Sequence, residues 1–253
     1  MFGRRREEYR PRRESWTTPG GEYSMLAAEV LSAPHTLIAG TTGCGKSTFL
    51  HSVMQALLVQ NSPVKAALVL IDPKKVELAD YAGLPHVLRY AEEADEAEAA
   101  LRYACALMES RYTSMKARGE RMFSGAHVYI IIDELADLML SARKHEIERL
   151  LQRLLQLGRA AAISVIACTQ CPNRRVLKAE LVCNFTNRFG LRCLSAIESR
   201  QIVGEKGCEL LPEHGQAIYV HGCHKDLYNL PYVKFEDVLP LIRYWTSARA
   251  KAV

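Results

Sequence analysis

Short apolar runs alternate with longer amphipathic stretches along most of the chain. The apolar runs have the length and composition of buried strands, and they predict strands at 36–39, 66–71, 128–132 and 163–168. The stretches between them have helical periodicity, and they predict helices at 46–60, 92–118 and 146–157. The run at 128–132 is apolar on both faces, which is typical of a central strand in a parallel sheet. This alternation predicts an α/β fold whose mostly parallel sheet is covered by helices on both faces.

The two ends of the chain differ from this regular pattern. Residues 1–24 carry an arginine cluster and end in a Pro-Gly-Gly turn, which predicts a basic flexible arm before one folded domain at 25–253. The last third of the chain predicts strands at 188–193 and 216–220 and helices at 196–203 and 236–247.

Composition narrows the class of protein. The chain of 253 residues is 49% hydrophobic and 24% charged, as is usual for a globular domain. No apolar run approaches the ~20 residues of a membrane-spanning helix, so we expect no intrinsic membrane segment. The net charge of +5 lies largely in the arm, which is suited to binding DNA, lipid or a partner, or is simply a solvated tail. The eight scattered cysteines are typical of a reduced, cytoplasmic protein.

The turn after the first predicted strand has the pattern of a phosphate-binding loop. Residues 40–47 fit G-x-x-x-x-G-K-[ST] in full, with a strand before them and a helix after them. Such a loop directs backbone N–H groups and the positive end of a helix at phosphates. Lys46 would contact the terminal phosphates of ATP, and Ser47 would ligate Mg²⁺. The residues expected to bind the nucleotide are Gly40, Thr41, Thr42, Gly43, Cys44, Gly45, Lys46, Ser47 and Thr48.

Polar residues follow two other predicted strands. Asp133 and Glu134 come directly after the run at 128–132, so they are expected at the same sheet edge as the phosphates. Asp133 would hold the Mg²⁺ shell, and Glu134 would polarise the attacking water; the alternative is an ordinary helix N-cap pair. Gln170 follows the run at 163–168 and could sense the γ-phosphate; the alternative is a surface amide at a strand end.

With these residues in place, the chain resembles the FtsK/SpoIIIE family of DNA translocases, within the FtsK–HerA group of P-loop motors. The resemblance spans about residues 30–222 and includes several ordered motifs beyond the phosphate loop. They are Pro34-His35, Ile71-Asp72-Pro73-Lys74, Glu77-Leu78, Tyr81, Leu84-Pro85-His86, Arg111-Tyr112, residues 131–139, Gly158-Arg159-Ala160-Ala161, Thr169-Gln170, Ser199-Arg200 and residues 207–211. Cys44 and Cys171 depart from the Ser and Arg that are usual in the family.

The resemblance implies a RecA-like motor fold for residues 25–253, a homo-oligomeric, hexameric ring and double-stranded DNA in the pore of the ring. ATP would lie between subunits and receive an arginine from the neighbouring subunit, with Arg159 as the first choice and Arg188 as the second. Family members usually add membrane helices and a winged-helix domain. We therefore expect a motor domain without these additions, as in a mobile element, that works with a membrane-anchored or DNA-reading partner protein.

Two basic segments are candidates for DNA contact. Arg118 and Arg121 lie in a connector before the acidic strand, and Arg174, Arg175 and Lys178 lie after Gln170. Contacts to phosphates would make binding salt-dependent and largely independent of sequence; the alternative is that both segments are solvated charge runs.

The cysteines suggest two further chemical sites. Cys44 lies near a helix N-terminus and Lys46, an environment that is expected to lower the pKa of a thiol and make it reactive. Cys168 and Cys171, with His221, Cys223 and His224, could in principle form a zinc site. We favour packing of Cys168 in the sheet.

Three functions remain in competition. The sequence favours an ATP-hydrolysing DNA translocase. The alternatives are a protein-handling ATPase resembling type VII secretion motors and a non-hydrolysing nucleotide-binding scaffold, and the intact Lys46, Asp133 and Glu134 argue against the scaffold.

Overall fold

The computed structural model describes residues 15–18 and 21–250. The strands are β1 (Ser15–Thr18), β2 (Gly21–Ser24), β3 (His35–Ala39), β4 (Ala66–Ile71), β5 (Val87–Ala91), β6 (His127–Ile132), β7 (Ile163–Thr169), β8 (Asn187–Gly190), β9 (Gln216–His221) and β10 (His224–Asn229). The helices are α1 (Met25–Ser32), α2 (Lys46–Gln60), α3 (Ala94–Arg118), α4 (Leu135–Leu140), α5 (Lys144–Leu157), α6 (Ala179–Val182), α7 (Ala196–Val203) and α8 (Phe235–Ala250). Short 3₁₀ turns occur at Ala79–Tyr81, Gly158–Ala161 and Cys208–Leu210.

An eight-stranded sheet organises the molecule, with the strand order β10-β9-β8-β3-β7-β6-β4-β5. The six strands from β8 to β5 in this order pair in parallel, whereas β9 and β10 extend the sheet in antiparallel fashion. Strand β7 lies between β3 and β6, so the segments that follow these three strands are neighbours at one edge.

Alternation along the central strands produces two hydrophobic cores, one on each face of the sheet. On β4, Val69 packs with α3 and α5, whereas Leu68 and Leu70 pack with α1, α2 and α8. The same alternation holds on β6, where Ile130 and Ile131 face opposite cores. Because both faces are buried, such strands are apolar throughout and carry no amphipathic signal. The predicted α/β fold with helices on both faces of a mostly parallel sheet is confirmed.

Several details differ from the sequence prediction. Residues 15–18 and 21–24 pair as a β-hairpin, and β2 lies against α2, so the expected flexible arm does not extend to residue 24. Residues 1–14, which hold the arginine cluster, lie outside the described residues. The predicted strand at 188–193 leaves the sheet at Gly190 because the chain then turns to contact the loop after β3. Pattern analysis did not find α1, β5, α4, α6 or β10, which are short or lack clear periodicity.

Within residues 15–18 and 21–250, no helix combines the length and the apolar character needed to cross a membrane.

Two histidines, the buried His35 and the half-buried His127, lie at the sheet edge where the parallel strands begin. His35 Nδ1 accepts the backbone N–H of Val165 at 3.0 Å, and His127 Nε2 lies 2.8 Å from Ser164 Oγ. Burial is the main cause that lowers the pKa of each imidazole to about 4; repulsion from His127 adds to the effect at His35, and the Arg111 guanidinium adds to it at His127. Both rings are therefore neutral in the folded protein at pH 7.

We expect these imidazoles to make the fold sensitive to mild acid. In the unfolded chain each would take up a proton near pH 6.5, so the unfolded state binds more protons between pH 6.5 and pH 4, and stability falls as pH falls. From pH 7 to pH 5 the loss is about 2 kcal/mol for each imidazole. Urea unfolding at the two pH values measures it, and His127→Gln should reduce the loss by about 2 kcal/mol.

His145 is exposed on α5 and provides the control. His145→Gln should retain the pH dependence of the unmodified protein. Equal pH dependence in both variants would exclude His127 as a source of acid sensitivity.

Candidate nucleotide-binding and catalytic site

The loop between β3 and α2 has the backbone that its glycines allow. Gly45 has φ of 98°, in the left-handed region, and it is the N-cap residue of α2. Gly40 is crowded: an added Cβ would lie 2.8 Å from Leu191 Cβ and 2.9 Å from Arg192 O. The sequence pattern thus corresponds to a tight loop at the amino-terminal end of a 15-residue helix, where backbone N–H groups attract anions.

Backbone contacts fix this loop to the neighbouring strands. Gly40 N donates to Thr169 O at 3.2 Å, and Thr41 N donates to Arg192 O at 2.8 Å. The segment after β8 therefore supports the loop from one side, and the end of β7 supports it from the other.

Lys46 is buried at the first position of α2. Its Nζ donates to Gly40 O at 2.7 Å and to Thr41 O at 2.6 Å, so the ammonium group lies inside the curve of the loop. A buried cation whose partners are neutral groups is suited to exchange its carbonyl contacts for the negatively charged oxygens of a phosphate group.

Glu134 is the most heavily hydrogen-bonded acid of the site. Its carboxylate accepts from four donor groups: Lys74 Nζ at 3.0 Å, Thr169 Oγ1 at 2.8 Å, Ala136 N at 3.1 Å, and Gln170 N at 3.1 and 3.0 Å. It is also the N-cap of α4 and is 1% exposed. These donors come from the segments after β4, β6 and β7, so one carboxylate joins three strand ends.

Gln170 connects the phosphate loop to this carboxylate. Its Oε1 accepts the Thr42 hydroxyl at 2.7 Å while its backbone N–H donates to Glu134. The amide thus lies between the loop and the acid pair.

Asp133 lies among other acids. Burial, together with the negative charges of Asp72 and Glu77, raises its pKa to about 7, and the ammonium group of Lys74 only partly opposes this. Asp72 is fully buried; its Oδ2 accepts Leu78 N at 2.9 Å, and its Oδ1 has no partner among the described residues. At the start of α2, Ser47 Oγ donates to Glu77 Oε1 at 2.6 Å.

This donor set fits a Mg²⁺–nucleotide complex. A hydroxyl, a buried carboxylate with a raised pKa and an unpartnered buried carboxylate oxygen converge beside a loop suited to phosphates, so the local charge balance favours a cation. Mg²⁺ normally binds through one or two protein groups, phosphates and water. It therefore does not need an all-protein cage, and the described residues contain no cluster of three or more metal-ligating side chains that would form one.

The prediction of a reactive Cys44 is contradicted. The thiol is 2% exposed, and burial raises its pKa, although Lys46 Nζ lies 3.6 Å from the sulfur and favours the thiolate. The helix N-terminus and the nearby lysine were identified correctly, but desolvation outweighs both.

The two arginines considered for action in a neighbouring subunit lie in different environments. Arg159 is exposed, lies just before β7 and makes no side-chain hydrogen bond or ion pair with the described residues. Arg188 is half-buried at the start of β8 and donates to Ile202 O at 3.0 Å, and burial lowers its pKa. Both lie where parallel strands begin, whereas the phosphate loop lies where they end.

Of the basic residues considered for DNA contact, two form ion pairs with acidic side chains and three do not. Arg118 pairs with Glu120 at 2.8 Å, and Lys178 pairs with Glu148 at 2.6 Å. Arg121, Arg174 and Arg175 are exposed and form no side-chain pair within residues 15–18 and 21–250. A cleft of about 700 Å³ lies beside the second segment, and the cations that line it are Arg174, Lys178, Arg188 and Arg200.

The possible zinc ligands do not come together. Cys168 is buried within β7 and belongs to the core, as favoured from the sequence. His221 ends β9, three strands away along the sheet, which corresponds to about 14 Å at the usual strand spacing.

Sequence reasoning assigned no role to four residues that the structure brings to this site: Asp72, Lys74, Glu77 and Thr169. Asp72 could have been found by the rule that identified Asp133, because it also directly follows a buried parallel strand. Arg192 contributes only its backbone carbonyl, which no sequence signal identifies.

Comparison with known proteins identifies the relatives of this chain. Residues 19–130 and 124–174 match the FtsK/SpoIIIE family. A DNA translocase FtsK of Agrobacterium fabrum is 32% identical, and the match covers 90% of this chain and 30% of the relative. The corresponding protein of Rickettsia prowazekii is 31% identical, with coverage of 87% and 35%. The chain thus spans about a third of the length of these relatives.

Solved structures support the fold. The pCW3 conjugation coupling protein TcpA, in a monomer form with ATPγS, superposes with a TM-score of 0.76 at 23% identity, covering 87% of this chain and 66% of that one. The cytoplasmic domain of the type VII secretion ATPase EccC of Thermomonospora curvata gives 0.69 at 24% identity, with coverage of 84% and 28%. These likenesses confirm the RecA-like P-loop architecture.

The buried environment of Cys44 predicts low thiol reactivity. Limited treatment of the folded protein with iodoacetamide at pH 8 should modify the exposed Cys171, Cys183 and Cys223 and leave Cys44 unmodified, as measured by peptide mass spectrometry. The three exposed thiols serve as internal controls. Modification of Cys44 at the rate of Cys171 would contradict the burial argument.

Proposed function

Because this chain belongs to the FtsK/SpoIIIE family, we propose that it couples ATP hydrolysis to movement along double-stranded DNA as one subunit of a hexameric ring. The observation that carries the proposal is the hydrogen-bonded connection from Thr42 through Gln170 to Glu134. It links the phosphate loop, a sensing amide and an acid that could activate water across three adjacent strands.

Residues 40–48 would bind the phosphates of ATP, with Lys46 exchanging its carbonyl partners for phosphate oxygens. Ser47 and Asp133 would hold Mg²⁺, which neutralises charge on the phosphates when it is bound. The raised pKa of Asp133 indicates a carboxylate for which a nearby cation would be favourable.

Glu134 would accept a proton from the attacking water. Its carboxylate is fully engaged, so this role requires one of its donors to move. Lys74 is the donor best suited to move, since its side chain is 33% exposed, whereas Thr169 and Ala136 are buried. Gln170 would report the presence of the γ-phosphate to the same carboxylate through its backbone N–H.

A ring is needed to complete the site. Arg159 precedes β7, whose seven residues span about 20 Å, so this arginine cannot reach the phosphate loop of its own chain. An exposed guanidinium without a partner is suited to stabilise γ-phosphate charge in a neighbouring subunit. Arg188 is the second choice because it is half-buried and already donates to a backbone carbonyl.

The better candidates for contact with DNA phosphates are exposed and have no side-chain partner in the described part of the chain: Arg121, Arg174 and Arg175. Arg118 and Lys178 would first have to leave their acidic partners.

ATP hydrolysis by the purified chain, with and without linear duplex DNA at 50 and 200 mM salt, tests the proposal. Duplex DNA should stimulate hydrolysis at low salt, and the stimulation should weaken strongly at high salt because the contacts are to phosphates. Lys46→Ala and Glu134→Gln should each reduce turnover by about 100-fold or more, and Glu134→Gln should retain ATP.

Hydrolysis without any response to DNA would favour a protein-handling ATPase instead. Absence of hydrolysis in the oligomer, with nucleotide still bound, would favour a scaffold.

Reversal of two charges tests the DNA surface. Arg174→Glu with Arg175→Glu should weaken duplex affinity by about tenfold or more at low salt and reduce the salt dependence of binding, as measured by fluorescence anisotropy. The matched control reverses two other exposed cations, Lys65→Glu just before β4 and Arg243→Glu on α8. Equal losses in the two double variants would remove Arg174 and Arg175 from the proposed surface.

A further inference from the structure

The segment that follows β4 carries an acid whose contacts point to the metal-binding side of the phosphate loop. Glu77 accepts the Ser47 hydroxyl at 2.6 Å on its Oε1 atom. A hydroxyl has one proton, so a Ser47 that donates to Glu77 directs its lone pairs away from that carboxylate. Those lone pairs are the ligand that a serine at this loop position offers to Mg²⁺.

The second oxygen of Glu77 is also fixed. Glu77 Oε2 lies 3.5 Å from His51 Nε2, and His51 Nδ1 lies 2.9 Å from the Tyr81 hydroxyl. Burial lowers the pKa of His51 despite the opposing charges of Glu77, Glu236 and Asp80, which favours the neutral ring. The consistent tautomer has Nδ1 accepting from Tyr81 and Nε2–H facing Glu77.

Two facing segments produce this network. Ser47 and His51 are four residues apart on one face of α2, whereas Glu77 and Tyr81 come from the facing segment, where Glu77 precedes the 3₁₀ turn Ala79–Tyr81. Tyr81 is fully buried, and its ring lies 6.1 Å from that of Phe235 at the start of α8. The position of Glu77 is therefore determined by packed groups and not by solvent.

A hydrogen bond to the residue that follows β4 holds the segment around Glu77 in this position. The fully buried Asp72 accepts the backbone N–H of Leu78 at 2.9 Å, so the residue next to Glu77 is tied to the sheet edge that carries Asp133. The side chain of Glu77 is 23% exposed, more than a stabilising core contact requires and compatible with a place at the rim of a ligand site.

We propose that Glu77 is a positioning residue for the metal–nucleotide site, which it serves by orienting the Ser47 hydroxyl while His51 and Tyr81 fix its carboxylate. The inference rests on the proposed nucleotide function. A carboxylate that accepts a ligand's proton also makes the ligand oxygen more basic, and loss of such a partner typically weakens metal affinity by about 10–100-fold.

Glu77→Gln tests this role because it keeps the size of the side chain and removes the charge. Affinity for a fluorescent ATP analogue is measured with Mg²⁺ and with EDTA, and Mn²⁺ binding in the presence of ATPγS is measured by electron paramagnetic resonance. We expect the affinity with Mg²⁺ to fall by about tenfold or more, Mn²⁺ binding to weaken in parallel, and the affinity in EDTA to stay unchanged.

Two further variants separate positioning from folding. Asp80→Asn removes an exposed charge from the same segment and should leave both affinities unchanged. His51→Gln keeps Glu77 but loosens it, and should give a smaller loss of Mg²⁺-dependent affinity. If Glu77→Gln does not fold, an unaltered Mg²⁺ dependence in His51→Gln overturns the proposal.

The outcomes distinguish this inference from the proposed function. Unmodified protein that binds nucleotide equally with and without Mg²⁺ would refute the metal site itself. A Mg²⁺ dependence that Glu77→Gln leaves intact would overturn only the role of Glu77. Equal losses with Mg²⁺ and with EDTA, together with a lowered melting temperature, would assign Glu77 a structural role and also overturn the proposal.

Discussion

Burial of the Glu134 carboxylate is the constraint on which the arrangement of this site depends. A charge removed from water must be compensated by hydrogen bonds, and here the donors come from the segments after three neighbouring strands. Displacement of any one strand end would leave a buried charge with fewer partners. The carboxylate therefore fixes the mutual positions of the acid pair, Gln170 and, through Thr42, the phosphate loop.

The order of the strands makes this arrangement possible. Because β7 lies between β3 and β6, one polar residue at its end can touch the loop on one side and the acid pair on the other. The two cores hold the central strands from both faces, and their apolar side chains leave little freedom for a strand to shift register. A rigid sheet thus presents its polar chemistry at the edge where its parallel strands end.

The sequence correctly predicts those features of the site that a short segment of the chain specifies by itself. The phosphate loop and the acids after β6 were found because a short motif or a strand end specifies each of them. Glu77 and Lys74 received no role because their contacts arise only when distant segments pack together. Cys44 shows the converse case: its sequence neighbours were correct, but its burial, which decides the thiol pKa, is a tertiary property. The short helix α4 was not predicted because its six residues are too few to show a helical period.

The residues that govern stability in acid and the residues of the nucleotide site lie at opposite ends of the parallel strands. His35 and His127 begin β3 and β6, whereas the phosphate loop and Asp133 follow the same strands. Strands of five and six residues separate the two sets by roughly 15–20 Å, beyond the range at which substitutions usually couple. Free-energy changes at the two ends should therefore be additive. The acid tolerance of this protein could then be engineered at one end of the sheet without retuning the nucleotide chemistry at the other.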